Sequence, residues 1–392
     1  MDKLRIGVIG TGSVVREIYQ FLYFQSEYSR LLSIEAAADP NERALADFCD
    51  PHEIPRDRRF SSFQEMIRAV RLDAVQVNTP DSLHEAPALH ALKAGLDVLV
   101  PKPTADTIGA AHRMIQAARD AGRLLVVDFH KREDPRIKEA TARFQKGQYG
   151  AYQCSVWYML DKLLVADPNH VPRFFASADF AEKNSPVSFL TVHMADALLR
   201  IVRLRPIRVR CTGWSQKLPS LRPIAVKGYD LCDTEVVFET GANAHIITGW
   251  HLPNMAHATT VQSARLICTE GVLDLGLDTP GYHELTAEGI TERNPLFRNF
   301  EPDGSVSGYG ISHPGRLYQK LLKDRQGALP PTERAALHDP VELGFWTTVV
   351  LEAAERSLKS GRKSGLGAVA GDDVDVPALL RETLGDAAEL YL

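Results

Sequence analysis

Cysteine is scarce in this 392-residue chain, and its few cysteines are scattered. They are odd in number, and no two have the close spacing of a metal site: Cys49, Cys154, Cys211, Cys232 and Cys268. This usage indicates reduced thiols in a cytoplasmic protein, and no metal centre is expected. An excess of basic charge is also lacking, since 45 Lys and Arg face 50 Asp and Glu, for a net charge of -5. A nucleic acid partner is therefore not expected, because phosphate binding needs a basic face.

Long apolar runs are lacking as well. No uncharged apolar stretch reaches the ~18 residues that a membrane span needs, so no membrane partner is expected. The opening residues, MDKLRIGVIG, lead directly into a strand pattern, without a basic segment followed by an apolar stretch and a cleavage site. These features together predict a cytoplasmic location. The remaining composition is that of a globular protein, and the length allows two domains.

The first motif is a strand, a glycine turn and a helix. LRIGVI at 4–9 suits a buried parallel strand, GTGSVV follows at 10–15, and the next residues have helical spacing. Gly10 allows the tight turn, and Gly12 lets the backbone approach a pyrophosphate at the N-terminus of the helix. Val15 stands where the dinucleotide fingerprint has its third glycine. The candidate cofactor-binding residues of the turn are Gly10, Thr11, Gly12, Ser13 and Val14.

A carboxylate ends the second apolar run. LLSIEAAADPN at 31–41 places Asp39 where an acidic residue can accept hydrogen bonds from the adenosine ribose. Asp39 favours NAD, because a carboxylate repels the 2′-phosphate of NADP. Arg43, one turn later, could compensate, so NADP remains possible. Asp39 could also cap the helix that follows.

Strands and helices continue to alternate up to residue 128. Strand patterns at 73–79, 97–103 and 124–129 are separated by helical stretches, which predicts a doubly wound parallel sheet of the Rossmann type, an α/β domain over 1–128. Ligands bind beyond the carboxyl ends of such strands, where NTPDSLH and VPKPT lie. These two segments supply further candidate cofactor-binding residues: Thr79, Pro80, Asp81, His84, Lys102 and Pro103.

The sequence changes character after residue 128. Runs such as DTEVVFET and SARLICTEG have β character with turns between them, and no long helical pattern interrupts 206–290. Consecutive strands of this kind predict a C-terminal α+β domain over 129–392 with a mostly antiparallel sheet. An amphipathic helical pattern at 339–361 is expected to pack back on the body.

Several segments together resemble the Gfo/Idh/MocA family of NAD(P)-dependent oxidoreductases. They are GVIGTG, AADPN, NTPDSLHEAPALHALKAGLDVLVPKP and HMAD. The resemblance implies a Rossmann domain followed by a domain with a large open antiparallel sheet. It also implies NAD as cofactor, with NADP possible, a sugar-like small-molecule substrate, and a homodimer or homotetramer.

The resemblance assigns a catalytic role to Lys102. The family carries Glu-Lys-Pro where this chain has Pro101, Lys102 and Pro103, and the family's lysine lies beside the nicotinamide and the reacting carbon. Pro103 disfavours helical backbone at Lys102, which helps to aim the side chain. An ammonium group can stabilise negative charge on a substrate oxygen and assist proton transfer. A surface lysine that merely follows a strand is the alternative.

A second catalytic residue comes from the segment SPVSFLTVHMADALLRIV at 185–202. The family places DxGxHxxD here, and its histidine is the acid/base that takes the hydroxyl proton. His193 and Asp196 match the last two positions, while Phe189 and Thr191 replace the first aspartate and the glycine. On a helix His193 and Asp196 lie on one face, where the carboxylate could raise the basicity of the imidazole. A buried core histidine is the alternative.

Further substrate-binding candidates follow the last Rossmann strand and lie on the first strand of the second domain. Lys131 and Arg132 could bind substrate oxygens or simply solvate a domain junction. Trp157, Tyr158 and Asp161 could form a wall on which a sugar stacks, with core packing as the alternative for Trp157. Phe189 and Asp196 are expected to line the same pocket.

These observations together predict an NAD(P)-dependent oxidoreductase. It would transfer a hydride between nicotinamide and a secondary alcohol or ketone of a sugar, cyclitol or sugar-like molecule. Two alternatives stay open: a glycoside-cleaving enzyme that retains NAD and uses transient oxidation and elimination, and a non-catalytic nucleotide-binding regulator.

Overall fold

The computed structural model describes residues 3–175, 177–278, 282–286, 289–293, 297–364 and 367–392. The chain forms two compact units, which are Met1–Asp134 with Asn294–Phe345, and Pro135–Arg293 with Trp346–Leu392. The division predicted at residue 128 stays a prediction. The two units differ from the predicted domains, because residues 294–345 belong to the first unit rather than to the second.

The first unit contains a six-stranded parallel sheet with the order β3-β2-β1-β4-β5-β6. Its strands are β1 Leu4–Ile9, β2 Leu32–Ala38, β3 Arg59–Phe60, β4 Ala74–Val77, β5 Asp97–Pro101 and β6 Leu125–Asp128. Strands β4 and β6 are buried along their whole length, as apolar strands of a parallel sheet are when helices cover both faces. The predicted doubly wound Rossmann sheet is confirmed.

Helices connect these strands. They are a π-helical turn Val15–Tyr19 that continues into α1 Gln20–Gln25, then α2 Glu42–Cys49, α3 Phe63–Ala69, α4 Glu85–Lys93 and α5 Ile108–Asp120. Side-chain caps fix two of the helix starts. Asn41 accepts hydrogen bonds from two backbone N–H groups of α2, and Thr107 accepts one from α5. Val15 is fully buried in the core. Its side chain therefore occupies the place where the dinucleotide fingerprint has its third glycine.

The second unit begins with a helix and continues into the strands of a larger sheet. Its helices up to residue 220 are α6 Pro135–Gln145, α7 Phe180–Lys183, α8 Val192–Val202 and α9 Lys217–Ser220. Its strands up to residue 293 are β7 Tyr152–Lys162, β8 Pro206–Trp214, β9 Leu231–Phe238, β10 Asn243–Leu252, β11 Thr260–Cys268, β12 Gly271–Gly276, β13 Tyr282–Thr286 and β14 Gly289–Arg293. The last two form a separate hairpin.

The chain then contributes a segment to the first unit before it completes the second. In the first unit lie β15 Asn299–Phe300, β16 Val306–Ser307, α10 Tyr309–Arg325 and α11 Pro331–Ala336. Helix α12, Phe345–Ser360, leads into the second unit, followed by β17 Arg362–Lys363, β18 Ala368–Ala370, β19 Val374–Asp375 and α13 Val376–Leu384. The helix expected at 339–361 thus begins at Phe345. Ser357 on α12 accepts a hydrogen bond from the backbone N–H of Cys211 on β8.

The larger sheet has nine strands in the order β12-β11-β7-β10-β9-β8-β18-β17, with β19 also paired to β8. Strands β7 and β10 run parallel, and the other described pairs of this sheet are antiparallel. The predicted mostly antiparallel sheet is confirmed. Burial alternates along β9, so one face of the sheet packs on the unit's core and the other is partly exposed. Among the described helices, none is both long and apolar enough to cross a bilayer.

Candidate functional site

The two glycines of the first turn have different surroundings. Gly10 has φ +82°, and a Cβ at this position would lie 2.9 Å from the carbonyl of Asn78. Only glycine fits there without strain. A Cβ on Gly12 would meet no heavy atom of the described chain within 4 Å, and its φ is not positive. The turn is therefore closed by the protein at Gly10 and open at Gly12, as a site for a close-lying pyrophosphate requires.

Asp39 follows β2 and holds this turn directly. Its Oδ2 accepts hydrogen bonds from the backbone N–H of Thr11 at 2.7 Å and from the Thr11 hydroxyl at 3.1 Å. Its Oδ1 accepts one from the N–H of Asn41 at 2.8 Å. Each carboxylate oxygen has two acceptor positions, so Oδ1 retains capacity for a ribose hydroxyl. Arg43 is exposed in the first turn of α2, and its contact with a cofactor stays a prediction.

A buried hydrogen-bond network connects the glycine turn to the core of the first unit. The hydroxyls of Tyr23 and Tyr318 both donate to Oε1 of Gln76, the former at 2.6 Å. Gln76 in turn donates to Oδ1 of Asn78 at 2.8 Å, and Asn78 donates to the carbonyl oxygen of Gly10 at 3.4 Å. The two tyrosine donors fix the orientation of the first amide and, through it, of the second. Sequence reasoning missed this network, because Tyr318 lies on α10, far along the chain.

His84 ties together the loops that follow β4 and β5. The side chain is fully buried; its Nδ1 lies 3.1 Å from the carbonyl oxygen of Pro103, and its Nε2 lies 3.0 Å from that of Thr79. Both ring nitrogens therefore contact protein carbonyls, so any influence of His84 on a cofactor passes through the two loops. The hydroxyl of Thr79 is buried and has no partner among the described residues. A buried hydroxyl without a partner is uncommon and fits a group that meets a ligand.

Lys102 follows β5 at this edge of the sheet. Its side chain is half-buried, and its peptide bond to the buried Pro103 is cis. Burial raises the pKa of Asp81, and the positive charge of Lys102 is the largest influence that opposes this rise. Lys102 and Asp81 are thus electrostatic neighbours where the β4 and β5 loops meet. The catalytic role of Lys102 and the cofactor contacts of Pro80, Asp81 and Pro103 stay predictions.

Charged groups also surround the end of β6. Asp128 is buried and accepts hydrogen bonds from the hydroxyl of Tyr19 at 2.8 Å and from Nδ1 of His313 at 2.7 Å. Burial lowers the pKa of His130 to about 3, with smaller contributions in the same direction from Lys131 and other cations. His130 is therefore neutral at physiological pH.

The structure gives Arg132 a packing role. The side chain is 5% exposed, donates to the carbonyl oxygens of Val341 and Glu342 at 2.8 Å each, and lies over the ring of Phe129. These contacts within the first unit account for its position, and they lend no support to the predicted substrate contact. Lys131 is also buried, and its substrate role stays a prediction.

His193 and Asp196 lie on α8 in the second unit, on the predicted helix. Both are buried, with 9% and 1% of their surface exposed. Helix α8 is preceded by a π-helical turn, Val187–Thr191, which carries the half-buried Phe189. The hydroxyl of Thr191 lies 2.8 Å from that of Thr248 on β10, which attaches this turn to the sheet. The acid/base role of His193 and the substrate contacts of Phe189 and Asp196 stay predictions.

The structure contradicts the predicted stacking role of Trp157. Its ring has no exposed surface, and its indole N–H donates to the hydroxyl of Ser155 at 2.9 Å. A ring without exposed surface cannot stack on a sugar, so Trp157 is a core residue. Asp161 on the same strand accepts a hydrogen bond from Thr260 at 2.6 Å, and its contact with substrate stays a prediction. No group of three or more potential metal ligands occurs in the part of the chain that the structure describes.

Comparisons with known proteins agree with this fold. Residues 4–129 match the sequence model of the GFO_IDH_MocA oxidoreductase family, described as having an NAD-binding Rossmann fold. An inositol 2-dehydrogenase of Rubrobacter xylanophilus is 32% identical over 145 residues, which is 36% of this chain and 40% of that protein. A D-glucoside 3-dehydrogenase of Escherichia coli is 32% identical over 131 residues, 33% of this chain and 36% of that protein. The matched segments thus span well under half the length of these curated relatives.

Similarity to solved structures extends over nearly the whole chain. The scyllo-inositol dehydrogenase of Lactobacillus casei, crystallised with NAD(H) and scyllo-inositol, has a TM-score of 0.69 at 18% identity and covers 96% of this chain and 99% of its own. A probable dehydrogenase of Thermotoga maritima gives 0.68 at 18% identity, over 94% and 98% of the two chains. At this level of identity the likeness establishes the fold. Within this fold, residues 4–129 are similar to the NAD-binding Rossmann domain of the GFO_IDH_MocA oxidoreductase family.

Proposed function

We propose that this protein is an NAD(P)-dependent oxidoreductase that acts on a secondary alcohol, or the corresponding ketone, of a sugar, cyclitol or sugar-like molecule. The observation that carries the proposal is the glycine turn. It is open at Gly12, held by Asp39, and lies within a domain that matches an NAD-binding family. The named relatives, which act on inositol and glucosides, support a cyclic polyol as the substrate class.

The residues of the first unit fit a dinucleotide. Gly10 and Gly12 would leave the backbone open to the pyrophosphate, Asp39 would accept a ribose hydroxyl, and the unpartnered hydroxyl of Thr79 would meet a polar group of the cofactor. A bound nicotinamide supplies the hydride acceptor or donor. The carboxylate of Asp39 makes NAD the preferred cofactor, with NADP as the weaker alternative.

Two side chains of this chain would handle charge and protons at the substrate. The ammonium of Lys102 would stabilise negative charge that develops on the reacting oxygen. The imidazole of His193 would take the hydroxyl proton during oxidation and return it during reduction. Asp196, three residues later on α8, would hold the imidazole. The proposal requires Lys102 and His193 to reach the same substrate oxygen.

We further propose that a second copy of the chain covers the outer face of the nine-stranded sheet. This face carries exposed apolar side chains on neighbouring strands: Tyr158 is 40% exposed, Ile267 40% and Val272 57%. Exposed apolar surface on a sheet is costly to leave in water and typically marks an interface. A homodimer or homotetramer would bury it. We also propose that the protein is located in the cytoplasm.

The test of the proposed function is oxidation of a defined panel with purified protein. Myo-inositol, scyllo-inositol and methyl glucosides are each mixed with NAD or NADP, and formation of the reduced nicotinamide is followed by its absorbance. We expect NAD reduction with at least one polyol, and a loss of about 10²–10⁴-fold in Lys102→Ala and in His193→Ala. The exposed Lys146 and His257 supply matched controls, Lys146→Ala and His257→Ala, which are expected to retain the rate. Failure to bind NAD, or unchanged rates in both site variants, would overturn the proposal.

A further inference from the structure

Five aromatic side chains of the second unit form a connected group, which we call the aromatic cluster: Phe174, Phe175, Phe180, Phe189 and Trp250. The rings of Phe175 and Phe180 are stacked, with centroids 3.9 Å apart and planes at 24°. Both meet the ring of Phe189 edge-on, at 5.6 and 5.0 Å. Stacked and edge-on ring pairs attract one another beyond the effect of the area they bury. The contacts therefore hold Phe189 in a defined orientation.

The aromatic cluster is only partly covered by the protein. Phe174 is 47% exposed, whereas Phe175, Phe180 and Phe189 are half-buried. Trp250 lies behind them, fully buried, with its ring 6.1 Å from that of Phe180 and its indole N–H without a partner among the described residues. A closed core would bury these rings completely. A ring surface left open to this extent marks a place where an apolar group can bind.

The position of Phe189 places the aromatic cluster beside the proposed acid/base. The turn Val187–Thr191 continues without a break into α8, and His193 comes four residues after Phe189. Residues four apart in a helix lie on the same side of it. Phe189 thus places an aromatic ring on the side of the helix that carries His193, at the position where the family pattern has a carboxylate.

Polar side chains border three of the rings. A small depression is lined by Phe174, Phe175 and Phe180 together with Asp167, Arg173 and Ser177. Nε of Arg173 donates to the carbonyl oxygen of Pro168 at 2.9 Å. The border can therefore bind hydroxyl groups while the rings bind an apolar surface. A ligand that matches both is an amphiphilic molecule with a flat apolar part next to a polyol part.

From this arrangement we infer that the substrate carries a planar apolar substituent, such as an aryl group, attached to the ring that bears the reacting alcohol. The inference rests on the proposed function, because it places that alcohol at His193. The aryl group stacks on the ring of Phe175, meets the ring of Phe189 edge-on, and lies beside the exposed Phe174. A free polyol such as inositol leaves these rings exposed to water and binds more weakly.

The test compares ligands that differ only in the substituent. Phenyl and methyl β-D-glucoside, and the same pair of galactosides, are titrated calorimetrically into the protein saturated with NAD, and their oxidation is followed in parallel. We expect a phenyl compound to bind at least about tenfold more tightly than its methyl partner, about 1.4 kcal/mol. Phe189→Leu and Phe175→Ala are expected to reduce this ratio severalfold. Phe174→Ala removes a ring that is 47% exposed, so this variant is expected to keep the fold.

The control and the outcomes separate this inference from the proposed function. Phe144→Ala removes a ring of the same unit that contacts Tyr149 instead, and the ratio should be unchanged. Equal binding of phenyl and methyl partners, no binding of either, or a preference that survives all three cluster variants would overturn the inference even if a polyol is oxidised. A phenyl preference that these variants abolish, without oxidation of any panel compound, would support the aromatic site and overturn the redox assignment.

Discussion

Alanine substitutions at the two glycines of the turn should affect different properties. Gly12→Ala should weaken NAD binding, and Gly10→Ala should lower the stability of the fold. In Gly12→Ala the new methyl group meets no heavy atom of the described chain within 4 Å, and φ is not positive, so the free energy of unfolding should change by less than about 0.5 kcal/mol. A methyl in the path of the pyrophosphate costs about 1–3 kcal/mol as overpacking does elsewhere. The dissociation constant for NAD should therefore rise about 5–150-fold.

Gly10→Ala should mainly affect folding. At φ +82° an L-residue costs about 1–2 kcal/mol, and its Cβ would lie 2.9 Å from the Asn78 carbonyl. Thermal unfolding without cofactor and calorimetric titration with NAD measure the two effects separately. The reasoning fails if Gly12→Ala binds NAD like the wild type, or if Gly10→Ala is as stable as Gly12→Ala.

Three further perturbations have defined outcomes. Asp39→Ala removes the carboxylate that would repel a 2′-phosphate, so the NAD-to-NADP ratio of kcat/KM should fall about 10–100-fold; an unchanged ratio would place the ribose elsewhere. Gln76→Leu leaves two buried tyrosine hydroxyls without their acceptor, so urea unfolding should show a larger loss than Tyr318→Phe, which should cost about 1 kcal/mol; equal losses would contradict the network. Since burial lowers the pKa of His130 from 6.5 to about 3, the unfolded chain binds a proton in this interval that the folded chain does not. Stability should therefore fall as the pH drops from 6.5 toward 3, by up to about 1.4 kcal/mol per pH unit, and His130→Asn should show a shallower slope; identical slopes would refute this.

Local patterns were enough to predict the N-terminal sheet. Most of its strands are short, largely apolar and bounded by turn residues, and the glycine turn needs only residues close in sequence. The two-residue strand β3, Arg59–Phe60, has no such pattern and was not predicted. Asp39 lies beside the turn because the ends of neighbouring parallel strands meet at one edge, and its contact with the ribose stays a prediction. Its hydrogen bonds to Thr11 were not foreseen, since they depend on side-chain geometry.

Contacts between segments far apart in the chain could not be predicted from the sequence. Nothing in the pattern of α10 indicates that it joins the first unit, and the positions of Tyr318 and His313 follow from that placement. The sequence left both stacking and core packing open for Trp157, because period-two alternation gives two faces but does not say which one is buried. The acceptors of Arg132 could not be foreseen because they come from residues about 210 positions later, and its substrate contact stays a prediction. Phe189 was recognised as a departure from the family pattern, yet its ring partners arise from a loop and a strand that no local signal connects.

The most direct test of the central claim is a double-mutant cycle on hydride transfer. The oxidation rate of the best polyol with saturating NAD is measured for the wild type, Lys102→Ala, His193→Ala and the double variant. Two groups that act on one substrate oxygen should be strongly non-additive, so the double variant should be about as slow as the slower single variant. Losses that simply multiply, or a rate that neither substitution lowers, would contradict the claim that the two residues serve one reaction.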